Sequence, residues 1–263
     1  MSDGLIPFSD LSGYAVAGIF AVYFLSFFIR GTLGFGSGMP AILGSVWVMP
    51  PHDAVLIALL TSVFAQVQLL PQGMKEANWR ITKPMMAGTI ISVVVGVWIF
   101  AILKAAWLTI VLGACLSVAV LIDVAGLADR AALHMRLDRT SIAFGLATVA
   151  GLIAGIAGAG SNYFLSFYLR WATPQPRTFR ATNIVLSGFM VLWRAIVTLF
   201  AGLITLKLVI ESALVMPAVY AGGWAGRRFA MKLSAKRYFG AFRILLLVAS
   251  VALIWKGIAA LHR

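Results

Sequence analysis

Arg194 is the residue of this 263-residue chain that most needs a chemical explanation, because its guanidinium stands inside an apolar stretch, residues 181–202. A charge near the centre of a lipid-embedded helix costs about 2.5 to 3.5 kcal/mol on insertion scales, so it needs a partner. Two partners are open to it. Glu211, at the start of the next apolar stretch, would make a structural ion pair, although Glu211 also stands four residues after Lys207, a spacing that suits pairing on one helix. The other partner is an anion on a membrane pathway.

Arg194 ends a polar stripe. Asn183, Ser187, Met190 and Arg194 fall at i, i+4, i+7 and i+11, which is one helical face. In the first half of the chain Ser62 and Gln66, at i and i+4, make an equivalent stripe beside Thr61, as Thr182 stands beside Asn183. Polar groups in lipid are costly unless they face protein, water or a ligand, so both stripes are expected to point inward. For a single hydroxyl the plainer role is an interhelical hydrogen bond, at about 0.6 kcal/mol each.

Two glycine-rich segments complete the candidate site. The first carries Gly34, Gly36, Ser37 and Gly38, with Pro40 just behind; the second carries Gly158, Gly160, Ser161 and Asn162. Glycine lets a backbone leave helical geometry, and a helix restarting after it offers free N–H groups and a positive dipole end to an anion. Pro40 suits the first turn of a restarted helix, where its missing N–H goes unneeded. Close packing of helices through small residues would explain either segment alone. Their recurrence at matching places favours a broken-helix site.

Other chemistry lacks its groups. Cys115 is the single cysteine, and His52, His134 and His262 are scattered, which leaves redox and metal centres without ligands. His52 and Asp53, beside Pro50 and Pro51, read as a solvated turn. There is no H-E-x-x-H, G-x-S-x-G or Walker A pattern, so neither a membrane hydrolase nor an ATP-driven pump is indicated, and no cofactor is expected.

The elements that must position these residues are membrane helices. Hydrophobic residues make up 62% of the chain, charged residues 11%, and the mean hydropathy is +0.99, against about 25% charged in soluble domains. Full-length apolar stretches near residues 13–29, 54–70, 84–103, 106–122, 141–157, 181–202, 206–224 and 240–260 predict eight crossings. Two short pieces, 39–49 and 162–171, each follow a glycine-rich segment and read as broken or re-entrant helices. Most of the tryptophans, among them Trp47, Trp107, Trp171 and Trp255, lie near span ends as an aromatic belt.

Charge decides between these topologies. If both short pieces return to the side they left, the loop Lys and Arg divide nine against eleven; if both cross, all but Lys104, Lys207, Lys256 and Arg263 fall on one side. Short cytoplasmic loops are the basic ones, so ten crossings with both termini outside the cytoplasm are expected. The same rule explains the net charge of +13 without nucleic acid. Residues 1–12 hold Asp3 and Asp10 and no Lys or Arg, the wrong charge for a cleaved signal, so the first helix is expected to stay.

The chain also repeats: Gly34-Phe-Gly-Ser37 returns as Gly158-Ala-Gly-Ser161, and Thr61-Ser62 as Thr182-Asn183. The predicted fold is an all-α polytopic membrane protein. Residues 1–123 and 141–263 would form two five-segment repeats joined by a cytoplasmic loop, 124–140. An odd number of crossings makes the repeats inverted, with a site near the midplane between them.

From about residue 13 to 260, the glycine motifs, the Thr-Ser and Thr-Asn pairs and the repeat arrangement resemble the TauE/SafE family of sulfite and organosulfonate exporters. Gly34 to Gly38 and Gly158 to Ser161 are similar to that family's G-x-G-G-G-like motif, with serine replacing a glycine in both. Leu60-Thr61-Ser62 and Ala181-Thr182-Asn183 are similar to its small-Thr-Ser pattern, Asn183 being a departure. The resemblance implies a secondary transporter of the plasma (inner) membrane, exporting a small sulfur oxyanion from the cytoplasm by alternating access. A homodimer is compatible with the family's architecture. An anion channel, or an assembly or sensor protein whose polar stripes only pack helices, are the alternatives.

Overall fold

The computed structural model describes residues 7–9, 11–33, 36–67, 69–124, 140–159, 161–173, 175–229 and 235–261. Most of the predicted connecting loop, residues 125–139, therefore lies outside the described residues, as do Gly34 and Gly160. Among the described residues the regular structure is entirely helical, as expected: α1 (Gly13–Leu33), α2 (Gly38–Ser45), α3 (Pro51–Val67), α4 (Leu70–Glu76), α5 (Trp79–Ile102), α6 (Ala105–Val124), α7 (Thr140–Ala157), α8 (Ser161–Ala172), α9 (Pro176–Phe200), α10 (Leu206–Phe229) and α11 (Ala235–Leu261).

Six of these helices are long and apolar enough to cross a membrane, over Gly13–Thr32, Trp79–Ile102, Ala105–Ile122, Thr140–Ala157, Pro176–Phe200 and Leu206–Phe229; Pro51–Val67 and Leu246–Leu261 are shorter apolar helices. The stretch expected at 54–70 stops three residues early, at Val67, and α4 was not foreseen. Pro71 explains both. It cannot donate a helical hydrogen bond, and its ring clashes with the carbonyl four residues back, that of Val67; it sits instead in the first turn of α4. His52 and Asp53, read as a turn, form the first turn of α3 behind Pro51.

Helices α2 and α8 span 8 and 12 residues, about 12 and 18 Å at 1.5 Å per residue, well short of the roughly 30 Å hydrocarbon layer. Each follows a break that a left-handed glycine makes: Gly36 has φ 90° after α1, and Gly158 has φ 73° after α7. A side chain at either position would be strained.

Two compact units divide the described chain, and each draws on both halves of the sequence. The first comprises residues 1–62, 104–117 and 204–263, with α1 against α10, α2 against α1 and α11, and α6 against α11. The Ser117 and Ser250 hydroxyls bond at 2.8 Å across that last pair. The second comprises residues 63–103 and 118–203. There α5 packs along α7, and Met85, Ala147, Ala154, Leu165, Leu169 and Met190 share one core with α8 and α9.

The outward faces are apolar too. Ile91, Val149, Leu199, Phe200, Val251 and Trp255 are among many large exposed side chains, as expected where lipid is the solvent. Inside the helices, hydroxyls are satisfied locally. Thr82, Ser92, Thr109, Thr173 and Ser212 each donate to the carbonyl four residues earlier, which suits a medium with no water.

Candidate functional site

The stripe on α9 is an interior face. Thr182, Asn183, Ser187, Met190, Arg194 and Thr198 are all buried. Helical side chains at three- and four-residue spacing share a face, so the polar set follows from the sequence register alone.

The two predicted stripes meet at Gln66. Its Nε2 donates to Ser187 Oγ at 3.0 Å and to the Ile184 carbonyl at 2.9 Å, and the Ser187 hydroxyl passes its own proton to the Asn183 carbonyl at 2.6 Å. Gly188 makes room, since a Cβ there would lie 3.3 Å from Gln66 Cγ. Thr182 Oγ1 accepts the Asn78 backbone N–H at 2.9 Å, at the residue just before α5. These bonds tie α9 to the ends of α3 and α5. Replacing Gln66 with Leu is expected to cost about 1 kcal/mol, because it removes the Nε2 bonds to the Ile184 carbonyl and the Ser187 hydroxyl, and to lower the melting temperature in detergent.

Arg194 is different. It is 2% exposed, and none of its three guanidinium nitrogens has a hydrogen-bond partner among the described residues. Its neighbour is the ring of Phe100, with Cζ 5.5 Å from the centroid. Glu211, the alternative partner, accepts instead the Phe8 backbone N–H at 2.9 Å, both residues lying in the other unit. Among the described residues the cation therefore keeps five unused N–H donors. Asn183 offers a second unused group, a buried side-chain carbonyl with no partner among the described residues. Eleven residues of helix separate the two, about 16 Å, so a small anion cannot touch both backbones' side chains at once. Arg194 tilts toward the helix N-terminus and shortens that gap only in part.

The remaining candidates have local roles. In the second unit Ser161 is buried at the start of α8, which also contains Asn162, just after the Gly158 break. In the first unit, Ser37 precedes α2 and is buried, but it makes no capping bond to that helix. It faces Arg30 instead, whose Nη1 lies 3.4 Å from Ser37 Oγ. Gly38 and Pro40 fall in the first turn of α2. Thr61 donates to its own helix at Ile57, 2.8 Å away, and Ser62 is half-buried beside it.

Sequence reasoning missed three participants. Arg30 looked like a loop charge that obeys the positive-inside rule, yet it belongs to the last turn of α1 and stacks 5.8 Å from the Phe27 ring. Phe100 carries no polar signal. Tyr23 was hidden in an apolar run: it is fully buried, with its hydroxyl beside those of Ser45 and Thr61 but making no hydrogen bond of good geometry among the described residues. Tyr23→Phe is expected to leave the melting temperature unchanged or raised, because the lost hydroxyl is buried and makes no hydrogen bond of good geometry among the described residues. A clear fall would reveal a bond the folded protein makes there.

Long apolar helices, apolar outward faces and an interior polar face whose arginine has no hydrogen-bond partner among the described residues define a multi-pass membrane protein. The sulfite exporter TauE/SafE family model matches residues 19–253, and the chain belongs to that family. Membership points to a membrane transporter of sulfur-containing anions. No curated protein and no solved structure matches the chain.

Proposed function

We propose that the protein is a secondary transporter that carries a small sulfur oxyanion, sulfite or an organosulfonate, out of the cytoplasm by alternating access. The observation that carries this reading is the Arg194 guanidinium, buried with no hydrogen-bond partner among the described residues. A bare cation in a low-dielectric interior is costly, and a transient anion offsets that cost while being held by up to two parallel N–H···O bonds. Asn183 is the further contact along the same face, reached in turn as the anion moves. Within the same unit Gln66, Thr182, Ser187 and the break at Gly158 to Asn162 would frame the route.

Inverted repeats at residues 1–123 and 141–263, with eight full spans and two short ones, supply the machinery for alternating access. Helix pairing supports this assignment. If α1, α2, α3, α5 and α6 correspond to α7, α8, α9, α10 and α11, then α1 on α10 in one unit is the counterpart of α7 on α5 in the other. The chain sits in the inner membrane with both termini outside, as its Lys and Arg distribution favours. With the cytoplasm negative, a departing monoanion gains about 2.3 kcal/mol per 100 mV.

Counterflow in proteoliposomes tests the function. Vesicles loaded with sulfite, sulfoacetate or sulfate are followed for uptake of labelled sulfite, and acceleration by an internal sulfur oxyanion is the expected result. Conductive flux without counterflow would make the protein a channel. No flux from folded protein would remove the sulfur-oxyanion assignment.

A further inference from the structure

We propose that the C-terminal end of α2 is a cation site filled by this chain's own Lys256, and that transport therefore runs without sodium. The transport half of this statement rests on the function proposed above; the site itself does not.

The carbonyls at the end of a helix have no partner within it, and they form its negative pole. The turn after α2 satisfies most of them: Val46 N–H reaches Ile42 O at 3.0 Å, Trp47 N–H reaches Gly44 O at 3.4 Å, and Val48 and Met49 N–H both reach Ser45 O at 2.9 Å. The next carbonyl, that of Val46, receives the Lys256 ammonium at 2.7 Å, and Nζ also lies 4.9 Å from the Trp47 ring centroid. A carbonyl oxygen, an aromatic face and a helix C-terminus are three features that each attract a cation. Secondary transporters built on broken helices use such C-terminal ends and unwound carbonyls to hold a coupling ion. Here the ion is covalently attached.

Both sides of the contact are rigidly seated. Gly257, next to Lys256, is pressed against α6, where a Cβ would lie 2.5 Å from Ile110 Cγ1 and 3.0 Å from the Ala106 carbonyl; Gly44 of α2 is pressed against Val22 in the same way. Lys256 is thus a positioning residue. It keeps the end of α2 neutralised and fixes the short helix that follows the first glycine break.

The full-length protein in proteoliposomes tests this. Wild-type counterflow of labelled sulfite is expected to be unchanged when choline replaces sodium on both sides. Lys256→Ala is expected to slow counterflow about tenfold, and methylammonium or sodium, small enough to enter the vacated site, to restore it where choline does not. Thermal unfolding supplies a readout independent of cargo: methylammonium raises the melting temperature of Lys256→Ala and not of wild type. If Lys256→Ala does not fold, Lys256→Met must reproduce the slowing while Lys256→Arg retains the rate. Sodium-dependent wild type, a full rate in Lys256→Met, or a loss that no small cation relieves or stabilises would each overturn the proposal.

Discussion

Replacing Arg194 with alanine is expected to reduce transport to background, a loss of at least ~100-fold, while the yield and melting temperature of the purified protein stay the same or rise. The first half follows from the donors: an oxyanion bound by a guanidinium loses charge-assisted bonds that contribute about 1.5 to 3 kcal/mol each. The second follows from the missing partner. Cutting one member of a buried ion pair strands the other charge, which costs about 3 to 5 kcal/mol, but among the described residues Arg194 has no hydrogen-bond partner to strand. What the fold loses is a ring contact with Phe100, of about 2 kcal/mol when desolvated, and what it recovers is the desolvation penalty of a bare cation. Arg194→Lys separates charge from geometry: a point charge without the planar fork is expected to keep partial transport at reduced apparent affinity. The measurement is initial-rate counterflow alongside a melting curve for each variant. Loss of folded protein in Arg194→Ala would assign the residue to structure instead.

The all-helical fold was legible because lipid enforces it. Backbone groups in hydrocarbon must be paired within their own segment, so apolar length alone locates helices such as α5, α9 and α10. The stripe from Asn183 to Arg194 was legible for a similar reason, since helical register makes residues four apart neighbours whatever they pack against. Three things were not legible. The end of α3 depends on the clash of Pro71 with the Val67 carbonyl, which an apolar window through Leu70 averages away. The fate of Glu211 depends on a backbone N–H from Phe8, 203 residues distant, and no local pattern announces a main-chain partner. Lys256 and Arg30 were counted as loop charges because charge statistics sort residues by side of the membrane. They cannot see a long side chain folding back onto a carbonyl or a serine.

Substituting leucine for Gly155 is expected to abolish the folded state, seen as loss of the monodisperse peak on size-exclusion chromatography. Association of helices in lipid gains nothing from burying apolar surface, because the lipid is equally apolar, so it depends on close approach and dispersion. In the α5–α7 pair that approach is backbone to backbone: a Cβ on Gly155 would lie 2.6 Å from Gly96 Cα and 2.7 Å from the Val93 carbonyl. Ordinary overpacking costs about 1 to 3 kcal/mol because side chains can move aside. Here the obstacles are main-chain atoms, and relief requires the two helices to separate. Separation would withdraw α5 from the α7–α9 core, and with it Phe100 from Arg194, so the damage reaches the candidate site. The α1–α10 pair is built the same way, Gly222 and Gly226 lying against the Phe24 and Phe28 carbonyls, so Gly226→Leu is expected to fail equally. Gly145→Ala is the matched control. It lies on the same α7 helix with open space at its Cβ position, and alanine there is expected to be neutral or to stabilise by about 0.5 to 1 kcal/mol. If Gly155→Leu folds like Gly145→Ala, the close approach of α5 and α7 is not what holds that unit together.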